Sequence, residues 1–398
     1  MTLQNRRLLI AAINFLVVLG SISVNIYLPS LPNIEKVFST SISQLKMSIT
    51  LFLIGYAVSQ FFWGSISERF GRKPPIIWGL SLACVGSLIA MLSQDVVMLD
   101  IARFIEGSGI GCATVLGRSI LSDAFNRNEI SRASSFMVIC TNIIPALAPL
   151  LGGFLLFWFG WRAIFLFLVL YTGFVLLLFI LKIPETHPNI KKEYNIRSAI
   201  KEYLEVIKNV EFLWYLLPYT MLTGGLIAYY TATPFIFVTT LHLSPHYYSF
   251  YSFATVGAFI IGAYFSSSIS KWLGFDQTIL AGIGLCLCSG VLFIVWGSFS
   301  RLGIPLVLIP MAVYSIGVSI LSPNGNAGAM SALSHIAGAA AATLGANSWG
   351  FAAIFSFIVN RLNLTNPVYL AGFILAISIV ALILFYAMPR ERKASCNG

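Results

Sequence analysis

Eleven stretches of this chain run for about 20 residues or more without a charged residue or a histidine. A helix needs about 20 mostly apolar residues to cross a bilayer, because each residue advances it by about 1.5 Å. Each stretch is long enough for one such helix, and none is comfortably long enough for two. They cover residues 8–34, 47–67, 74–94, 133–161, 163–181, 212–241, 247–270, 277–300, 302–334, 336–360 and 362–389.

A twelfth apolar segment, residues 96–122, is interrupted by Asp100, Arg103, Glu106 and Arg118. We interpret it as a span that carries charge inside the membrane. The chain is 58% hydrophobic and 10% charged, whereas soluble domains carry about 25% charged residues. A β-barrel would instead show alternating segments of about 10 residues. The sequence therefore predicts an all-α integral membrane protein with twelve transmembrane helices.

The basic residues are unequally distributed between the two sides of the predicted membrane. With a cytoplasmic N-terminus, 18 of the 24 Lys and Arg residues fall on the cytoplasmic side, five fall outside, and Arg103 lies within a span. Cytoplasmic loops are enriched in Lys and Arg. We therefore predict a multi-pass protein of the inner membrane with both termini in the cytoplasm, and no nucleic-acid partner.

One long polar stretch divides the spans six and six. We predict an N-terminal six-helix bundle (1–182), a cytoplasmic linker (183–211) and a C-terminal six-helix bundle with a short tail (212–398). A weak repeat supports this division, since Ser65-Ile66-Ser67 with Gly71 recurs 203 positions later as Ser268-Ile269-Ser270 with Gly274. Transporters are often built from such repeated halves, with the substrate site between them.

The loop between the second and third spans combines glycines, an acid and several bases. The glycines permit a tight turn, and the charged side chains can pair with neighbouring helix ends. We expect this loop and the end of the fourth span to hold the inward mouth shut. A positive-inside anchor or simple solvated helix-end charges are the alternatives. The predicted cytoplasmic gate comprises Gly64, Glu68, Arg69, Gly71, Arg72, Arg118 and Asp123.

This loop resembles the best-known motif of the major facilitator superfamily, and the resemblance extends over almost the whole chain. In the fourth span, Arg103, Glu106 and Gly107 are similar to that family's R-x-x-Q-G motif. In the fifth, Ala148-Pro149-x-x-Gly152-Gly153 resembles the second part of an antiporter motif. Further features resemble the Bcr/CflA-type drug-resistance branch: Tyr27-Leu28-Pro29, Gly160-Trp161-Arg162, Pro184-Glu185-Thr186, Tyr230-Thr-Ala-Thr-Pro234, Pro323-Asn324 and Ala337-Gly338. The resemblance implies two six-helix bundles around a central cavity and drug:proton antiport.

Arg103 lies inside the predicted fourth span, so its positive charge must be accommodated within the membrane. A lone Arg at mid-bilayer costs at least about 2.5–3.5 kcal/mol, so it should face the protein interior and pair with Glu106, three residues on. A purely structural ion pair is the alternative, but intramembrane ionisable pairs usually mark ion pathways. The resemblance likewise ties this Arg to proton coupling. Substrate binding that moves Arg103 would couple transport to proton release from Glu106.

The first span departs from the family pattern. The drug-resistance branch commonly has an Asp two residues before the Tyr-Leu-Pro of this span, and here the residue is Asn25. An amide cannot exchange a proton near neutral pH, and this span has no acid before Glu35. Glu106 is therefore the expected proton carrier.

Polar and aromatic residues in otherwise apolar spans are candidates for a substrate cavity. An amide in lipid is costly without a partner, so each residue either lines a cavity or hydrogen-bonds between helices. The predicted cavity residues are Asn25, Tyr27, Asn142, Pro149, Tyr230, Pro234 and Asn324.

These patterns predict a secondary transporter that exports a small organic molecule, such as a drug or a siderophore, in exchange for protons. An importer, a symporter or an uncoupled facilitator on the same fold is the nearest alternative, and a membrane enzyme or sensor is a distant one. No catalytic cluster and no metal-ligand spacing appear in the sequence. We therefore predict no enzyme activity and no cofactor or metal, with the proton gradient as energy source. The partners are a small-molecule substrate and the lipid bilayer, and a chain of this kind can act as a monomer.

Overall fold

A computed structural model describes residues 3–124, 147–187, 196–243, 245–299, 303–333, 336–362 and 367–387. The described residues are almost entirely helical and contain no strand. Ten helices among them are long and apolar enough to cross a membrane. The prediction of an all-α integral membrane protein is confirmed.

The helices follow the predicted spans in order. They are α1 (Leu3–Val17), α2 (Leu19–Asn25), α3 (Leu31–Phe38), α4 (Ile42–Phe70), α5 (Lys73–Leu92), α6 (Val96–Ala124), α7 (Leu147–Phe159), α8 (Arg162–Lys182), α9 (Ile196–Lys208), α10 (Val210–Pro234), α11 (Pro245–Leu273), α12 (Phe275–Phe299), α13 (Ile304–Ala332), α14 (Ala337–Arg361) and α15 (Pro367–Ala387). A 3₁₀ turn (Leu28–Ser30) precedes α3, and a π-helix (Phe235–Thr240) follows α10.

The first span, α1 to α3, is irregular because its sequence interrupts helical hydrogen bonding. Pro29 and Pro32 lie at the starts of the 3₁₀ turn and of α3, where a missing N–H is tolerated. α3 ends where Ser39 adopts a positive φ. Ser41 and Gln44 then form a capping box that begins α4.

Two predicted spans differ from the ten apolar ones. α6 is the charged fourth span, and its 29 residues make it about 44 Å long, which is enough to cross a bilayer. α7 is the described part of the fifth span; the remainder of that span lies outside the described residues.

The buried apolar residues form two main clusters that follow the chain order. One cluster runs from Leu9 to Ile183, with three alanines of α14, and the other runs from Trp214 to Ala381. α4 of the first half packs along α14 of the second, and Tyr230 contacts both clusters. The division of the chain at 182 and 211 stays a prediction.

The weak sequence repeat corresponds to matching backbone geometry. α4 and α11 are both 29 residues long, and each is followed by a glycine with positive φ, 86° at Gly71 and 84° at Gly274. A positive φ is strained for residues other than glycine. Both glycines are therefore required by the turn that connects two spanning helices.

The two glycines differ in what surrounds them, and this gives a matched test. A Cβ on Gly71 would lie 2.5 Å from Oε2 of Glu185, whereas a Cβ on Gly274 meets nothing within 4 Å. We expect Gly274→Ala to cost about 1–2 kcal/mol from backbone strain alone, and Gly71→Ala to cost more because the carboxylate must also move. Thermal unfolding of the purified protein measures the difference. An equal decrease in melting temperature in both variants would contradict the close approach of Glu185 to Gly71.

Candidate functional site

Arg103 lies completely buried within the first half, where α6 carries it against α2 and α4. Its Nη1 donates to Oε2 of Glu106 at 2.6 Å, and both side chains are fully excluded from solvent. Nη2 donates to the backbone carbonyl of Ser23 on α2 at 3.2 Å. The guanidinium thus connects the charged span to the first span.

Three aromatic rings surround the same guanidinium. Its Cζ lies 4.2 Å from the ring centre of Phe52, 4.9 Å from that of Tyr27 and 6.0 Å from that of Phe165. A cation is attracted to the face of an aromatic ring within about 6 Å, and more strongly where water is excluded. The rings of α4, α8 and the first span therefore stabilise a charge that lipid alone would not tolerate.

The hydrogen bonding around this ion pair is incomplete. Among the described residues, Nε of Arg103 is buried without a hydrogen-bond partner, whereas the hydroxyls of Ser23 and Ser87 interact with the carboxyl of Glu106. Gly86 brings α5 close, since a Cβ there would lie 2.7 Å from Cα of Glu106. Buried polar atoms without partners are costly. The site therefore has acceptors and donors available for a proton or a rearranged side chain.

Asp100 lies one turn before Arg103, nearer the start of α6. Its Oδ1 is buried and lacks a partner among the described residues. Asp100, Arg103 and Glu106 are three residues apart and share one helix face. Tyr27, whose hydroxyl bonds Ser48 at 3.0 Å, lies within electrostatic reach of all three. The sequence indicated these charges, but the surrounding hydroxyls and rings could be found only in the structure.

The predicted cavity residues do not form a single group. Asn25 is buried and donates to the carbonyl of Ser21 on its own helix at 2.8 Å. Tyr27 belongs to the Arg103 cage, and Tyr230 lies between the halves. Asn324 is buried within the second half, where it accepts from Ser270 at 2.8 Å.

Of the three remaining cavity candidates, two lie in described helices and one does not. Pro149 is buried on α7, one turn from Gly152, which packs directly against the backbone of Ile26. Pro234 ends α10, where the helix widens into the π-helical turn. Asn142 lies outside the described residues.

The cytoplasmic gate residues are organised by Arg72. Its guanidinium bonds Asp123 at 2.7 Å, Glu68 at 2.8 Å and the hydroxyl of Ser67 at 2.7 Å. The loop thus joins α4, α5 and α6 at one end of the bundle. Arg69 is exposed, with its guanidinium 5.4 Å from the ring centre of Phe70.

Arg118 does not join that cluster in the part of the chain that the structure describes. It lies one turn after Thr114, whose hydroxyl bonds the hydroxyl of Tyr56 on α4. Its charge acts on Tyr56 and on Tyr219 of α10. The expected pairing with the Glu68 loop is therefore replaced by a position facing the other half. Gly64 likewise faces inward, towards Ala342 and the hydroxyl of Tyr203.

Glu185 anchors the loop between α4 and α5, a role that the sequence did not indicate. Its two carboxylate oxygens accept the backbone N–H groups of Arg72, Lys73, Thr186 and His187 at 2.8–3.0 Å. Burial raises the pKa of this carboxyl, but the four donors lower it by more, so the pKa lies below the usual range. Glu185 thereby caps the start of α5 with a negative charge.

These features define a polytopic membrane transporter: two halves of spanning helices, a buried ion pair and a charged loop at one end. The family model of the Major Facilitator Superfamily matches residues 13–356. The chain belongs to the major facilitator superfamily. It is a transporter and not an enzyme, and the predicted family and fold are confirmed.

Curated relatives align over most of the chain. Multidrug resistance protein D of Escherichia coli (strain K12) is 28% identical over 333 residues, covering 83% of this chain and 82% of that protein. The bicyclomycin resistance protein homolog of Haemophilus influenzae is 25% identical over 393 residues, covering 98% of each. The resemblance to drug-resistance members is confirmed.

Solved structures show the same fold at low identity. A D-xylose–proton symporter superimposes with a TM-score of 0.74 at 16% identity, covering 96% of this chain and 98% of that one. The human organic anion transporter MFSD10 gives 0.72 at 14% identity, covering 96% and 99%. At these identities the likeness concerns the fold alone.

Glu185→Gln tests the anchoring of the loop between α4 and α5. A group with a lowered folded-state pKa stabilises the protein above its unfolded-state pKa, about 4.3. That stabilisation disappears as the pH falls through the folded-state value. We therefore expect a lower melting temperature than wild type at pH 7 and a gap that closes below about pH 4. Glu211→Gln, at the start of α10, is the control, and an equal, pH-independent loss in both variants would contradict the role of Glu185.

Proposed function

We propose that this protein exports small amphipathic organic molecules across the inner membrane in exchange for protons, with both termini in the cytoplasm. The observation that carries the proposal is the fully buried Arg103–Glu106 pair, whose two side chains are completely excluded from solvent. Intramembrane ionisable groups usually mark ion or proton pathways. The names of the drug-resistance relatives favour export over import.

Glu106 is the proposed proton carrier. A carboxyl releases a proton as a cation approaches and binds one as the cation leaves. In this scheme, the described arrangement, with Arg103 at 2.6 Å from the carboxyl, is the one that Glu106 takes up after releasing its proton. A proton arriving from outside frees Arg103, and a substrate that returns Arg103 to Glu106 expels the proton. Proton and substrate thereby exclude each other, as exchange requires.

The surroundings of Arg103 allow such movement at low cost. Its Nε makes no hydrogen bond within the described chain, and the hydroxyls of Ser23 and Ser87 beside Glu106 can hydrogen-bond the carboxyl in either protonation state. The three rings attract the guanidinium without fixing its direction as a bidentate carboxylate would. Asn25 takes no part in proton transfer in this scheme.

Glu106→Gln separates coupled from uncoupled transport. In energised inverted vesicles we expect substrate-triggered proton efflux in the wild type. We expect its loss in the variant, because an amide side chain cannot release and rebind a proton near neutral pH. Uphill accumulation should fall at least about tenfold, which corresponds to about 1.4 kcal/mol of lost driving force. The measurement is the external pH as anionic, neutral and cationic amphipathic molecules are added.

Glu35→Gln is the matched control, since Glu35 is the acid at the outer end of the first span. It should retain proton efflux. Accumulation by Glu106→Gln against a gradient at the wild-type rate would overturn the assignment, and substrate movement without any proton signal in the wild type would indicate a facilitator.

A further inference from the structure

The contact between α4 and α14 joins the two halves through polar and aromatic side chains. Near the outer end, Asn360 donates to Thr50 at 3.2 Å. Further inward, Tyr56 and Trp349 lie with ring centres 4.5 Å apart. One turn beyond, Gln60 lies directly against Gly345, where no side chain has room.

Gln60 is unusual because it is fully buried at this junction and makes no hydrogen bond. Both its Oε1 and its Nε2 lack a partner among the described residues. An amide buried without partners is destabilising by about 1–3 kcal/mol for each unsatisfied group. A ligand that contacts Gln60 would relieve this cost.

Arg118 supplies a positive charge to the same region. Thr114 and Arg118 are four residues apart on α6, and the bond from Thr114 to Tyr56 directs that face of α6 towards α4 and α14. Arg118 is half-buried, and its charge reaches Tyr219, beside Ser348 of α14. In the sequence, the spanning parts of α10 and α14 contain charged residues only at their ends, Glu211 and Arg361. Neither α10 nor α14 therefore places a carboxylate opposite Arg118 within the membrane-spanning part of the described chain.

We infer that Arg118, Gln60 and the rings of Tyr56, Tyr219 and Trp349 form a binding site for an aromatic organic anion. The acidic group of the ligand pairs with Arg118, its ring packs on Tyr56, Tyr219 and Trp349, and Gln60 hydrogen-bonds a neutral polar group. The site draws residues from α4, α6, α10 and α14, so it exists only while the two halves are together. This inference rests on the proposed export function and specifies its substrate class.

Binding of three related probes to the purified full-length protein tests the site. 1-Naphthylacetate, 1-naphthylacetamide and 1-naphthylmethylammonium share one ring and differ in charge. A hydrogen-bonded charge pair is worth about 1.5–3 kcal/mol, so wild type should bind the acetate about 10- to 100-fold more tightly than the amide. Arg118→Gln should abolish this preference and Arg118→Lys should retain most of it. Titration calorimetry measures the affinities, and the melting temperature confirms folding.

Arg361→Gln, the end residue of α14, is the matched control and should leave all three affinities unchanged. Equal affinity of wild type for the acetate and the amide, tighter binding of the ammonium probe, or an unchanged preference in Arg118→Gln would each overturn the inference. The titrations use no proton gradient. Absence of an anion preference in the wild type, with intact proton efflux, would therefore contradict this site alone. An anion preference in the wild type without proton efflux would contradict the role of Glu106 alone.

A second inference comes from α9, the helix of the linker. Its Tyr203 donates to the carbonyl of Phe61 on α4 at 3.2 Å, and Val206 is fully buried against α10, α13 and α14. Asn209 alone separates α9 from α10, and its Oδ1 accepts the N–H of Phe212 at 2.8 Å. These contacts hold α9 at the level where the spanning helices leave the membrane.

The opposite side of α9 combines an apolar stripe with a basic edge. Ile200, Leu204 and Ile207, at helical spacing, are 51%, 48% and 53% exposed. Lys201 and Lys208 are exposed beside them, with Glu205 next to both lysines and Glu202 on the far side of the helix from the stripe. An apolar face bordered by lysines is typical of helices that lie in the membrane interface. We propose that this surface binds anionic phospholipid of the inner leaflet.

Hydrogen–deuterium exchange of residues 196–208 tests this surface, using the full chain in nanodiscs with one copy each. The discs contain either phosphatidylcholine or phosphatidylglycerol. Each lysine near an anionic surface contributes about fivefold to binding, so two contribute about 30-fold. We expect slower exchange in phosphatidylglycerol by a factor of this order, and loss of the difference in Lys201→Gln/Lys208→Gln.

Lys182→Gln/Lys271→Gln, which removes two exposed lysines from the ends of α8 and α11, should keep the difference. Identical exchange in the two lipids, or equal loss in both double variants, would overturn the proposal. Protection that appears only in discs with two copies would assign the surface to a second copy of the chain.

Discussion

The first half of this protein has to stabilise a guanidinium that is buried among apolar helices. Arg103 has no access to water, so every compensating contact must come from the protein. Glu106 supplies the opposite charge, and rings from α4, α8 and the first span supply a polarisable surface. The relative positions of these helices are therefore linked to one side chain. Because the compensation is incomplete, the same arrangement that stabilises the fold can also rearrange during transport.

The sequence predicts the helices of this fold well, because membrane spans depend on local composition. Charge-free windows locate the spans without any knowledge of contacts, and the repeated glycines at 71 and 274 mark equivalent turns. Arg103 and Glu106 could also be paired in advance, since their spacing places them on one helix face.

The sequence predicts less well which side chains meet across helices, because this depends on how each helix is rotated and tilted against its neighbours. Asn324 is a polar residue in an apolar span, as a cavity residue would be, but it accepts a hydrogen bond from Ser270 within its own half. Arg118 resembles a gate residue but faces Tyr56 and Tyr219. Glu185 lies more than 100 positions from Arg72, so its capping role has no local signature.

The two halves repeat their geometry but not their chemistry. At the end of the first half an ion pair joins Arg72 to Asp123, and at the corresponding place in the second half a neutral hydrogen bond joins Ser270 to Asn324. The ion pair is largely shielded from water, since the side chains of Arg72 and Asp123 are 7% and 14% exposed. The corresponding ends of the two bundles are thus held by different chemistry, an ion pair in one and a neutral hydrogen bond in the other.

The single residue between α9 and α10 ties the linker helix closely to a spanning helix. Asn209 caps α10 directly after α9 ends, so little flexible chain separates the two helices. At the same time, Tyr203 of α9 hydrogen-bonds the backbone of α4 in the first half. Any displacement of α10 relative to α4 must therefore be accommodated within the short helix that touches both.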